Sequence, residues 1–134
     1  VAAKEYRFPF CVPYAHVDQM RVVYYANYFV YFEMARTALL QEAGLSYRDM
    51  EKNGVMLPVV AAHCDYRQPA RYEDWIEVRS TCLPFEGSRL RIAYEVWRGE
   101  DLLATGYTHH VCMSPAGKVL RPTAALRALT EATA

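Results

Sequence analysis

No two cysteines in this chain stand close together. Cys11, Cys64, Cys82 and Cys112 are scattered through 134 residues, with no CxxC pair and no small secreted framework. That spacing favours reduced, buried thiols in a cytosolic protein over disulfides. The cysteines do not pair with His16, His63, His109 or His110, whose spacing offers neither HxxxH nor HExxH, so no metal is expected. His109 and His110 are adjacent in a strand and point to opposite faces. Long apolar runs are also missing. Nothing approaches the roughly 20 residues of a membrane span, and the opening VAAKEYRFPFCVPY lacks the apolar stretch of a secretory signal. The expectation is a cytoplasmic protein with no membrane insertion. Charge of one sign is absent too: 15 basic and 15 acidic residues cancel to a formal net charge of +0, so no global field draws in nucleic acid. The 6 glycines are scattered singly and cradle no phosphate, and there is no GxSxG elbow.

Apolar and aromatic residues are plentiful, at 53% and 13% of the chain. A chain of this length buries roughly two-thirds of its unfolded surface as one domain, expected over residues 1–134. EYRFPFCVPY alternates as a first strand, with Pro9 and Pro13 suiting an edge. A loop from Ala15 to about Val23 leads into YYANYFVYFEMARTALLQEAG, a helix of some twenty residues closed by Gly44. Its apolar residues run nearly all round, broken by Asn27, Glu33, Arg36, Thr37, Gln41 and Glu42, so it must be covered on most sides. SYRDMEKNG reads as a short helix capped by Ser46. Then come strands: VMLPVVAAHCDYRQ, WIEVRSTCLPFEG, SRLRIAYEVWRG and LLATGYTHHVCMS. A terminal helix follows from about Thr123 to Thr130. Mostly short links imply antiparallel neighbours, giving an α+β fold: a five-stranded antiparallel sheet around one long central helix.

The loop before the long helix, YAHVDQMRVVYYANY, holds one carboxylate, Asp18. An aspartate here commonly caps a helix or shapes a turn. Against that stands its setting. The nearby helix N-terminus carries unsatisfied N–H groups and partial positive charge that would polarise a carbonyl. A Cys/His pair, from His63–Cys64 or His110–Cys112, is weaker than the reading of buried strand thiols. Arg67, Arg71, Arg89 and Lys118 could meet phosphates, although solvated charges explain each of them more simply.

YAHVDQMRVVYYANYFVYFEMAR resembles the signature of hotdog-fold acyl-CoA thioesterases of the 4-hydroxybenzoyl-CoA thioesterase-like family, in which a Y-x-D-T-D-like turn leads through G-V-V-Y to A-N-Y and the helix. YRQPARYEDWIEV is similar to the family's P-A-x-Y-D-D segment, and LLATGYTHHVCMSPAGKVLRP to its closing strand. The resemblance implies a hotdog fold and hydrolysis of acyl-CoA thioesters to free acid and CoA. It puts Asp18 at the catalytic carboxylate, as nucleophile or general base, and Tyr25 where a backbone N–H holds the thioester oxygen. Asn27, Arg21 and His16 join as substrate-binding positions, with Asn27 fixing the loop against the helix start. No metal or organic cofactor is implied. The implied assembly is a homodimer or homotetramer with active sites at the dimer interface. Three positions depart from the family pattern: His16 replaces an Asp, Arg21 a Gly, and Tyr25 a His found in one subgroup. The first two motivate an alternative, a non-catalytic hotdog protein binding acyl-CoA or acyl carrier protein. A dehydratase would need a matching His segment beside an acid such as Glu33, and the loop lacks it.

Overall fold

The computed structural model describes residues 4–131. Strand β1 (Glu5–Cys11) turns Tyr6, Phe8 and Phe10 inward. After a single 3₁₀ turn at Tyr14–His16 and the loop holding Asp18, helix α1 (Asn27–Glu42) begins. Helix α2 (Tyr47–Lys52) starts at Ser46, whose hydroxyl accepts the Asp49 N–H at 3.2 Å, the cap expected from its sequence. Strands β2 (Val59–Tyr66), β3 (Trp75–Cys82), β4 (Arg89–Arg98) and β5 (Asp101–Met113) follow. Strand β6 (Val119–Leu120) and helix α3 (Ala124–Thr130) complete the described chain.

Burial follows the two-residue period of the strands. Ile76, Val78, Ser80 and Cys82 of β3 face the core, as do Leu90, Ile92, Tyr94 and Val96 of β4. All pairings are antiparallel, in the order β1-β3-β4-β5-β2, with β6 added to β5. The sheet packs around α1 in the hotdog arrangement. Tyr31, Phe32, Leu39 and Leu40 of that helix are fully buried, and Phe32 stacks on Tyr94 with ring centroids 4.4 Å apart. Close approach is possible because β5 has Gly106 there. A Cβ at that position would lie 2.5 Å from the His63 carbonyl oxygen and 2.6 Å from the Phe32 ring.

Four sequence expectations change. The sheet has a sixth, two-residue strand. Strands β2 and β3 are consecutive but not neighbours, since β2 pairs with β5 at one edge while β3 lies between β1 and β4; the segment between them is a crossover, not a hairpin. Helix α1 starts at Asn27 rather than Tyr24, because the Tyr24 N–H is turned back to the His16 carbonyl at 2.9 Å. And Arg36, placed among the residues that interrupt the apolar girth of the helix, is buried.

Its burial is sustained by a chain of hydrogen bonds running in one direction. The Arg36 guanidinium donates to the hydroxyls of Tyr47 at 2.8 Å and Tyr94 at 3.2 Å. The Tyr94 hydroxyl bonds Thr108 at 2.7 Å, Thr108 bonds His110 Nε2 at 2.8 Å, and His110 Nδ1 reaches the Leu57 carbonyl at 3.1 Å. Arg36 can only donate and a carbonyl can only accept, so each hydroxyl passes its proton onward and His110 is neutral with its proton on Nδ1. Burial pushes the His110 pKa down to about 4, and the Arg36 charge acts in the same direction.

Candidate active site

The loop carrying Asp18 is a miniature hairpin. Val17 bridges Val23, the Asp18 N–H donates to the Val22 carbonyl at 3.0 Å, and the Arg21 N–H donates to the Asp18 carbonyl at 2.9 Å. Asp18 does not cap α1. That place falls to Ala26, which makes no side-chain cap bond. Instead Asp18 Oδ1 accepts the Met20 N–H at 2.8 Å, which orients the carboxylate within its own turn. Arg21 holds φ at +65°. The backbone conformation that suits glycine is therefore retained with arginine in place, at a cost on the order of 1 kcal/mol.

Asp18 borders two cavities. One, of about 410 Å³, is walled largely by Met20, Val22 and the tyrosines 24, 25, 28 and 66. The other, of about 700 Å³, opens between Tyr14, Gln19, Arg21 and Tyr72. The first wall comes from the loop and the helix start, and the facing wall from the end of β2 and the crossover after it. Ala70, fully buried in that crossover, ties the two together. Its carbonyl accepts the Val23 N–H at 2.8 Å and its N–H donates to the Tyr28 hydroxyl at 3.3 Å.

At the mouth of α1, the Tyr24 carbonyl accepts the Asn27 N–H at 2.9 Å and the Tyr25 carbonyl accepts the Tyr28 N–H at 3.3 Å. Among the described residues, the N–H groups of Tyr25 and Ala26 have no hydrogen-bond acceptor. Donors held by their own turn, at the positive end of a 16-residue helix, can receive a developing oxyanion. Asp18 and Tyr25 border one apolar cavity, and the Ala26 N–H belongs to the next peptide along the turn.

His16 and Asn27 act on the loop rather than on the cavities. The Asn27 side chain donates to the His16 carbonyl at 3.1 Å, beside the Tyr24 N–H on the same oxygen. The His16 ring turns toward the helix, with Nδ1 3.0 Å from the hydroxyl of buried Tyr31. Neither side chain is among those lining the two cavities. Of the four basic residues considered for phosphate contact, Arg67 borders the smaller cavity. Arg89 lies elsewhere, donating to His109 at 3.2 Å. The cysteines are poor nucleophile candidates, since burial pushes Cys64 up to about 11 and Cys82 up to about 12. Among the described residues no three of His, Cys, Asp and Glu converge as a metal site would require. No helix there is long and apolar enough to cross a membrane.

Sequence reasoning missed Tyr28, Tyr66, Pro69 and Ala70 as site residues. The match of YRQPARYEDW to a family segment was the one signal that pointed to that stretch, without saying that it faces Asp18.

The model of the thioesterase-like superfamily matches residues 12–129. The chain belongs to that superfamily. It is accordingly an enzyme of thioester hydrolysis. YneP of Bacillus subtilis, named as a proposed acyl-CoA thioesterase, is 36% identical over 103 residues, 76% of this chain and 75% of that protein. The acyl-CoA thioester hydrolase YbgC of Escherichia coli is 29% identical over 111 residues, 82% of this chain and 83% of its own. Among solved structures, a 1,4-dihydroxy-2-naphthoyl-CoA thioesterase from Synechocystis superposes with a TM-score of 0.87 at 27% identity, covering 95% of this chain and 96% of that one.

Proposed function

We propose that the enzyme hydrolyses acyl-CoA thioesters to free acid and CoA, with Asp18 as its catalytic carboxylate. The observation that carries this reading is that Asp18 and Tyr25 border one apolar cavity, at a turn where the N–H groups of Tyr25 and Ala26 have no acceptor among the described residues. The thioester carbonyl oxygen accepts from the N–H groups of this turn, at Tyr25 and Ala26, which draws electron density off the carbonyl carbon. In one route Asp18 attacks that carbon and the C–S bond breaks. The thiolate of CoA leaves and takes up a proton, and water cleaves the resulting mixed anhydride to regenerate the carboxylate. In the other route Asp18 takes the proton of a water that attacks the carbonyl carbon; the C–S bond then breaks, and the leaving CoA thiolate takes that proton back from Asp18. The names of the relatives support acyl-CoA as substrate.

The site is completed in our reading by a second copy of the chain. The outer edge of β2 pairs with no strand among the described residues, and Val59, Val60 and Tyr66 on it are each exposed by more than two-fifths. Such an apolar edge beside an open cavity suits a partner strand that doubles the sheet and closes the pocket. Arg21, at the rim of the larger cavity, is placed to meet the polar end of the substrate. His16 and Asn27 hold the loop from behind.

Replacing Asp18 with Ala removes the reacting group. It is expected to lower kcat by roughly two to four powers of ten while leaving the melting transition and the elution volume in place. A variant that keeps wild-type turnover would sink the assignment. Tight acyl-CoA binding by the wild type without turnover would instead make this a binding protein. Single turnover in ¹⁸O-water bears on the two routes: label in the Asp18 side chain marks the nucleophile, and label confined to the product acid favours the base.

A further inference from the structure

We infer that Tyr66 is a positioning residue for the oxyanion-binding turn, locking the Tyr25–Ala26 peptide in place from the edge strand. The inference rests on the reading of that turn given above. The start of α1 is weakly held by its own sequence, because the N-cap residue Ala26 makes no side-chain cap bond. The Tyr25 carbonyl receives one long local bond, from the Tyr28 N–H at 3.3 Å. The shorter bond comes from 41 residues away, where the Tyr66 hydroxyl donates to the same oxygen at 2.9 Å.

Tyr66 is itself well placed to act as a fixed support. Its ring meets Tyr28 edge-on, with centroids 5.1 Å apart and planes at 84°, and Tyr25 at 6.5 Å and 88°. Tyr28 is anchored in turn by the Ala70 N–H on its hydroxyl. The Tyr66 ring lines the cavity while its oxygen is spent on backbone, so it touches the turn rather than the reacting atoms. Two effects follow. The peptide bearing the Ala26 N–H is held before charge develops on the substrate, which is when a preorganised donor counts. A bond accepted at its carbonyl also polarises that N–H and makes it a stronger donor.

The test compares Tyr66→Phe, Tyr66→Leu and Asp18→Ala with wild type on one good acyl-CoA substrate. Tyr66→Phe removes only the hydroxyl and keeps the wall. It should lower kcat roughly three- to tenfold, the range of one lost hydrogen bond, with KM changed by less than about twofold. Tyr66→Leu should lose the same factor in kcat and also raise KM, since the aromatic wall goes with it. Melting curves and elution volumes establish that each variant folds and assembles. Wild-type kcat in Tyr66→Phe, with or without a raised KM, overturns the inference and leaves Tyr66 as wall alone. If Asp18→Ala is inactive in that case, the reading of the site survives without it. Full activity in Asp18→Ala removes both.

Discussion

The proton missing from His110 makes folding stability depend on pH in a calculable way. In the folded chain His110 is fully buried and neutral, with a pKa pushed down to about 4 from 6.5. Between those values the unfolded chain carries a proton there that the folded chain excludes. Stability therefore rises with pH across this window, is fully present above 6.5, and is lost as the pH falls toward 4. At about 1.36 kcal/mol per pH unit, the span from 6.5 down to about 4 amounts to about 3 kcal/mol. His110→Gln isolates the effect. A glutamine can donate to the Leu57 carbonyl and accept from Thr108 as the neutral imidazole does, but it does not titrate. Urea unfolding at fixed protein concentration, from pH 4.5 to 7, should give the wild type a steeper gain in stability than the variant, with the difference approaching about 3 kcal/mol over the window. Parallel curves would refute the one-way chain of bonds from Arg36, because a His110 able to accept a proton in place needs Thr108 to turn its hydroxyl away.

Two further outcomes follow from the loop and the sheet edge. Arg21→Gly relieves the positive φ of 65° and should raise unfolding stability by about 1 kcal/mol while raising KM for acyl-CoA about two- to fivefold, the worth of one exposed charge contact. Loss of stability instead would mean that the Arg21 side chain makes contacts outweighing the strain. Val60→Lys places a charge on the free edge of β2 and should shift the protein toward monomer in size-exclusion chromatography with loss of activity. An unchanged elution volume would place the partner on another face.

The parts of the fold that local pattern controls were readable in advance. The alternation in WIEVRSTC and RLRIAYEVW maps directly onto burial, because successive strand residues face opposite sides. The nearly all-apolar girth of the helix announced that it would be wrapped. Boundaries set by distant bonds were not readable: nothing local stops Tyr24, Tyr25 and Ala26 from being helical, and the His16 carbonyl decides the matter. Arg36 looked like a surface residue because its partners, Tyr94 and the hydroxyls beyond it, lie in other strands.

The candidate site divides along the same line. The sequence by itself determined the loop, its carboxylate Asp18, and the helix entrance after it, since these are contiguous and their chemistry is local. Only the tertiary structure decided what faces them. It brings Tyr66 and Ala70 against Tyr25 and Tyr28, turns the His16 ring away toward Tyr31, and keeps Arg21 in a glycine conformation. The physical reason is the sheet order. Because β2 pairs with β5 rather than β3, the chain must cross over after Tyr66, and that crossover forms the second wall of the pocket.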